Sequence, residues 1–91
     1  MSTRRHRDLE FTFKGVANRH RVHILELLGR KPEQPVVAVA DEVALDVRTV
    51  SEHLRKLMLA GLVMKKKDGN MVRHALTEKG KAILQFCRIA V

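Results

Sequence analysis

Only two residues, Leu45 and Asp46, separate two apolar stripes of helical period, and so short a joint leaves few folds open. Val37, Ala40, Val43 and Ala44 form the first stripe, and Val47, Val50, Leu54, Leu57 and Met58 form the second. Helices over about 36–44 and 47–60 joined this tightly must cross steeply, which pushes the second one outward. Asp46 is suited to cap the second helix. Ala60 and Gly61 are suited to end it, because glycine takes the left-handed conformation without steric cost. The usual glycine of the inter-helix turn is missing. Ala44 stands nearest its place, so the turn must avoid positive φ or tolerate strain.

Behind the helix pair, LVMKKK and MVRHAL flank Asp68-Gly69-Asn70, a sequence with tight-turn chemistry, which predicts a hairpin over about 62–76. Leu62 and Met64 share one face of its first strand, while Lys65, Lys66 and Lys67 gather toward the tip with Arg73 on the return. Opposite the second helix's apolar stripe lie Arg48, Thr49, Glu52, Arg55 and Lys56, with Ser51 and His53 on the flanks.

A formal net charge of +8 favours a polyanionic partner, and the cations spread over the N-terminal arm, the second helix and the hairpin. Aromatics are 3% with neither Trp nor Tyr, so the stacking platforms of single-strand and RNA binders are absent and duplex DNA is expected. Arg48 is the expected base reader, since arginine pairs both acceptors of guanine, with Thr49 and Glu52 as secondary readers. Ser51, His53, Arg55, Lys56, Lys65, Lys66, Lys67, Asn70 and Arg73 complete the expected DNA contacts, mostly on phosphate, with His53 reading as either a groove residue or a helix-packing one. Arg4, Arg5 and Arg7 are expected to form a mobile basic arm.

Ninety-one residues fit one domain, 1–91, mainly α with a small β-hairpin. Further helices are predicted over about 7–16, 19–29 and 78–90, the last capped by Thr77. The last helix is apolar up to the end of the sequence. Leu9 and Phe13 of the first helix, with Leu84, Cys87 and Ile89 of the last, are the expected contacts with a second copy.

The residues resemble the ArsR-like branch of the winged helix-turn-helix regulators over about Phe13 to Leu84. VANRHRVHILELL resembles the family's opening motif, with Arg21 at the arginine's place. TVSEHLRKLMLAGLV carries its Ser-x-His-Leu core as Ser51, His53 and Leu54 and its Ala-Gly-Leu junction as Ala60, Gly61 and Leu62. LTEKGKAIL is similar to regulators of the MarR and PadR type. The resemblance implies a winged helix-turn-helix fold and a homodimeric cytoplasmic regulator of transcription, commonly a repressor. It also implies a metal, redox or small-molecule signal, which the residues do not identify. Val36 to Val39 stand where soft-metal sensors carry a cysteine pair, and beyond Thr77 only Glu78 and Cys87 resemble zinc ligands.

No metal or cofactor is therefore expected. His20 and His23 share a helix face without a third ligand one turn on, and His74 reads as a packed, hydrogen-bonded residue. Cys87, the single cysteine, excludes an internal disulfide and reads as a small hydrophobe rather than a redox switch. No enzymatic motif is present, and no apolar run reaches the length of a membrane span. The alternative of another class is a winged-helix protein-interaction adaptor, which has no need of cations on both the second helix and the hairpin.

Overall fold

The computed structural model describes residues 1–91 and contains α1 (Arg4–Val16), α2 (Arg19–Arg30), α3 (Val36–Val43), α4 (Val47–Leu59), β1 (Val63–Asp68), β2 (Met71–Leu76) and α5 (Glu78–Ile89). The strands form an antiparallel hairpin with a two-residue connection, Gly69-Asn70. Gly69 has φ +63, which matches its place at the first corner of a tight hairpin turn. A bridge between Gln34 and His74, with N–H to O distances of 3.0 and 2.7 Å, ties the loop before α3 to the outer edge of β2.

The core gathers on α2, whose Ile24, Leu25, Leu27 and Leu28 are all at most 2% exposed. Val39, Ala40 and Val43 of α3, Val50, Leu54 and Leu57 of α4, and Leu84 of α5 pack against them, with Leu62, Val63 and Leu76 closing the hairpin end. Each large aliphatic side chain buried this way contributes roughly 1.5–3 kcal/mol. α1, α2, α3 and the first strand of the hairpin therefore hold the apolar side of α4, leaving its polar face outward.

Several expectations shift. Val37 of α3 is 64% exposed and Val39 is buried, because VVAVA is apolar at every position and its periodicity leaves the helix phase open. Val47 is 40% exposed, so the buried stripe of α4 begins at Val50. Leu84 belongs to the chain's own core at 3% exposure, which removes it from the expected dimer contacts. Arg4, Arg5 and Arg7 are helical rather than a loose arm. Three cations at a helix N-terminus oppose the helix dipole, which hides the start of α1 from a sequence reading. The Thr3 amide donates to Nδ1 of His6 at 2.8 Å and helps to close that end.

The joint between α3 and α4 takes the strained option. Ala44 has φ +57 and ψ +45, the left-handed region that a β-carbon disfavours. Its amide donates to the Asp41 carbonyl at 3.3 Å and that of Leu45 to the Ala40 carbonyl at 3.1 Å, which satisfies the last carbonyls of α3. The same pair of bonds ends α4, from Gly61 to Met58 and from Leu62 to Leu57, both at 2.9 Å, with Gly61 at φ +76.

Candidate nucleic-acid interface

α4 starts where the Asp46 carboxylate accepts from the Arg48 amide at 3.4 Å. With Val50, Leu54 and Leu57 turned inward, the helical period leaves Arg48, Thr49, Ser51, Glu52, Arg55 and Lys56 exposed. Two of these are occupied with each other. Arg55 grips Glu52 through two parallel bonds, Nε to Oε2 at 3.0 Å and Nη2 to Oε1 at 2.5 Å. The Arg55 hydrogen bond holds the Glu52 carboxyl below its usual range and raises the guanidinium in turn. Both remain in water, so the pair is a local neutralisation rather than a stabilising element. Arg48 and Lys56 have no acidic partner and carry the free positive charge of this face.

The hairpin divides its lysines. Register places Lys65 opposite His74 and Lys67 opposite Val72, while Lys66 pairs with Arg73 on the other side of the pleat. The Lys65 face looks toward α4 across a cleft of about 400 Å³, bounded by Ser51, Leu54, Arg55 and Met58 on one wall and Lys65, Val72 and His74 on the other. The Lys66 face looks toward α5 and the α2–α3 loop, where Met64, Ala75, Leu84 and Arg88 line a separate cleft. Glu33 holds that side, its carboxylate 3.7 Å from Lys66 Nζ and its carbonyl accepting from Arg73 Nη1 at 3.3 Å. Asp68 adds a 3.8 Å contact to Arg73. Lys66 and Arg73 are thus turned away from α4 and paired, so the basic cluster read from the sequence is two clusters. Strand alternation is the signal that separates them, and Glu33 carries no signal at all because its loop geometry is tertiary. Asn70 is exposed at the hairpin tip.

His53 also leaves the outer face. Its Nδ1 lies 3.3 Å from Arg21 Nη1, and its ring is 5.8 Å from that of His20, so it packs between α4 and α2. Burial, then the charge of Arg21, holds its pKa below the usual histidine value. His74 is buried as expected, but its Nδ1 has no hydrogen-bond partner, and burial lowers its pKa too. No three His, Cys, Asp or Glu side chains converge on a common point, and no helix is long and apolar enough to cross a membrane.

At the other end of the molecule, Phe13 of α1 meets Phe86 of α5 edge-on, with ring centroids 6.5 Å apart. Leu9 at 39% and Ile89 at 71% exposure lie one turn along from Phe13 at 49% and Phe86 at 55% on the same helix faces, Phe11 at 53% is exposed on another side of α1, and Cys87 is half-buried.

The sequence model described as winged helix-turn-helix DNA-binding matches residues 18–64, from the α2 cap into β1. No curated protein matches the chain. Among solved structures, the homodimeric winged helix-turn-helix DNA-binding domain of Mb0332 from Mycobacterium bovis, a possible ArsR-family transcriptional regulator, superposes with a TM-score of 0.86 at 24% identity, covering 99% of this chain and 86% of that one. HlyU from Vibrio cholerae gives a TM-score of 0.84 at 24% identity over 98% of this chain and 97% of its own. An ArsR-like transcriptional regulator from Rhodococcus sp. RHA1 gives 0.78 at 26% identity over 97% and 84%.

Proposed function

The chain belongs to the winged helix-turn-helix DNA-binding family, and we propose that it is a homodimeric, sequence-specific regulator of transcription that represses by occupying duplex DNA. One observation carries this reading: α4 turns Arg48 and Lys56 outward with no acidic partner, and the hairpin face that carries Lys65 and Lys67 looks toward α4, with Lys65 lining a cleft against Ser51 and Arg55. A helix in the major groove with a basic wing on the adjacent phosphates needs this arrangement. Arg48, one residue into α4, reads a guanine edge, and Thr49 and Glu52 reach neighbouring bases. Ser51, Lys56, Lys65, Lys67 and Asn70 hold phosphates. Arg55 joins them by exchanging Glu52 for a phosphate oxygen. The paired Lys66 and Arg73 are secondary, and His53 acts from behind the helix.

The apolar surface of Leu9, Phe13, Cys87 and Ile89, widened by Phe86, joins two copies, so that two α4 helices address one palindromic site. A protein of this kind works in the cytoplasm, and neither a cofactor nor a catalytic step enters the mechanism.

Selection of bound sites from a random duplex pool at two salt concentrations tests the proposal. A palindrome with half-sites about one helical turn apart is expected, and Arg48→Ala should cost about 1–3 kcal/mol while relaxing preference at one base position. Recovery of no enriched sequence, or equal losses on selected and random DNA for Arg48→Ala, would refute it.

A further inference from the structure

Arg21 on α2 is buried to 8% exposure, yet no Asp or Glu lies within ion-pair distance of it. Its guanidinium is spent on contacts to two other helices, α1 and α4. Nε donates to the Gly15 carbonyl at 2.7 Å and Nη2 to the Lys14 carbonyl at 3.5 Å, at the C-terminus of α1 where the helix dipole is negative. Nη1 points at His53 Nδ1 at 3.3 Å, in the middle of α4. Arginine has only donors, so His53 must accept there and keep its proton on Nε2. Beside this contact α1 and α4 approach so closely that a β-carbon on Gly15 would sit 2.6 Å from Ala60 Cβ. One side chain thus ties the end of α1 to the helix that carries the DNA-facing residues.

We propose that Arg21 and His53 are positioning residues for DNA recognition, a latch that seats α4 against α1 and opens when His53 takes a second proton. The consequence for DNA rests on the function proposed above; the latch itself does not. A protonated imidazole has no lone pair, so the Arg21 contact becomes two donors, both positive, at 3.3 Å. Every neighbour but one makes this worse. The His20 ring of α2 lies tilted against it at 5.8 Å, and Lys56 adds positive potential along α4 itself. Glu52 is the acid close enough to help, and Arg55 already holds it. α1 offers only the Lys14 and Gly15 carbonyls, since the Lys14 ammonium turns to Glu10 at 3.9 Å. The repulsion drives Arg21 off those carbonyls or α4 away from α1, and α1 carries the apolar surface assigned to the second copy. Opening therefore alters how two α4 helices are spaced, and specific binding weakens. A simple charge effect has the opposite sign, because a cation gained on α4 would strengthen binding to any duplex.

Fluorescence anisotropy separates the two, using the duplex recovered from the random pool and a scrambled duplex, from about pH 7.5 down to about pH 5.5. Wild type should lose its preference for the selected duplex, by about tenfold for each pKa unit by which the closed latch resists the proton. His53→Gln, which keeps an acceptor oxygen but cannot titrate, should hold its preference throughout. In parallel, NMR of the free wild-type protein should show the Arg21 Nε–H and the Ala17 and Asn18 amides moving with the His53 ring titration. Identical pH profiles for wild type and His53→Gln would overturn the latch, as would tighter binding to both duplexes in acid. An Arg21 Nε–H that ignores the His53 titration would do so even if the variant fails to fold. If no duplex is ever selected, the DNA reading fails, and the same NMR titration still judges the latch.

Discussion

Replacing Ala44 by glycine should stabilise the protein, although it removes a methyl group and loosens the unfolded chain. Ala44 closes α3 at φ +57 and ψ +45, and a left-handed residue with a β-carbon costs roughly 1–2 kcal/mol. Glycine does not incur that strain. Against this, the freer unfolded chain costs roughly 0.4–1 kcal/mol. The side chain is exposed, so little packing is lost. The net gain is about 0.5–1 kcal/mol, which for a domain of this size raises Tm by about 2–8 °C. Gly61 supplies the reciprocal experiment. It closes α4 with the same two hydrogen bonds at φ +76, and a β-carbon there would meet only Lys79 Cδ at 3.7 Å and Nζ at 3.8 Å, ordinary contacts. Gly61→Ala should therefore lose by backbone strain alone about what Ala44→Gly gains. Urea unfolding of both variants at one fixed protein concentration measures this, since self-association shifts apparent stability. If Ala44→Gly is neutral or destabilising while Gly61→Ala is harmless, the backbone argument for both helix ends is wrong.

The divided hairpin predicts different salt dependences for neighbouring lysines: changing Lys65 and Lys67 together to Ala should lower the log–log salt slope of DNA binding by about 3.6 per dimer, whereas Lys66→Ala should leave it nearly unchanged. A drop for Lys66→Ala as large as for Lys65→Ala would place Lys66 on the DNA. Ile89→Asp with Phe86→Ser should turn the proposed dimer into a folded monomer by sedimentation equilibrium, while Leu84→Ala should cost about 2–5 kcal/mol of stability because its side chain is core. Acid should destabilise the fold. His53 and His74 both have lowered pKa values when folded, so the unfolded chain binds more protons, and their contribution is complete above about pH 6.5 and is lost as pH falls below it. The urea midpoint at about pH 5.5 should lie below that at about pH 7.5, and less so in His53→Gln.

Much of this was readable from residue order alone. The apolar period after Asp46, the cap and stop signals at Asp46 and Gly61, and Asp68-Gly69-Asn70 between two short strands are local features, and local chemistry settles them: a helix with one apolar stripe, a left-handed stop, a two-residue turn. The exposed Arg48, Thr49, Ser51, Glu52, Arg55 and Lys56 follow from the same period. Helix identity along VVAVA was legible but its rotation was not, since five apolar residues in succession leave every phase equally plausible until α2 and α4 select Val39 and Val43.

What residue order could not decide is where side chains far apart in the chain meet. Lys65, Lys66 and Lys67 read as one cluster, and the pleat together with Glu33 makes them two faces with different partners. His53 reads as a groove or a helix-packing residue, and only Arg21, 32 residues earlier, decides for packing by drawing it inward. Gly80 reads as a small blemish near the start of α5, but a β-carbon there would lie 2.0 Å from the Leu62 carbonyl oxygen, so the helix can cross the hairpin root only through that glycine. Sequence determines the backbone's local preferences, because those depend on neighbours a few bonds away. Burial, charge pairing and close approach depend on which surfaces the fold brings together, and that is settled only when the whole core packs at once.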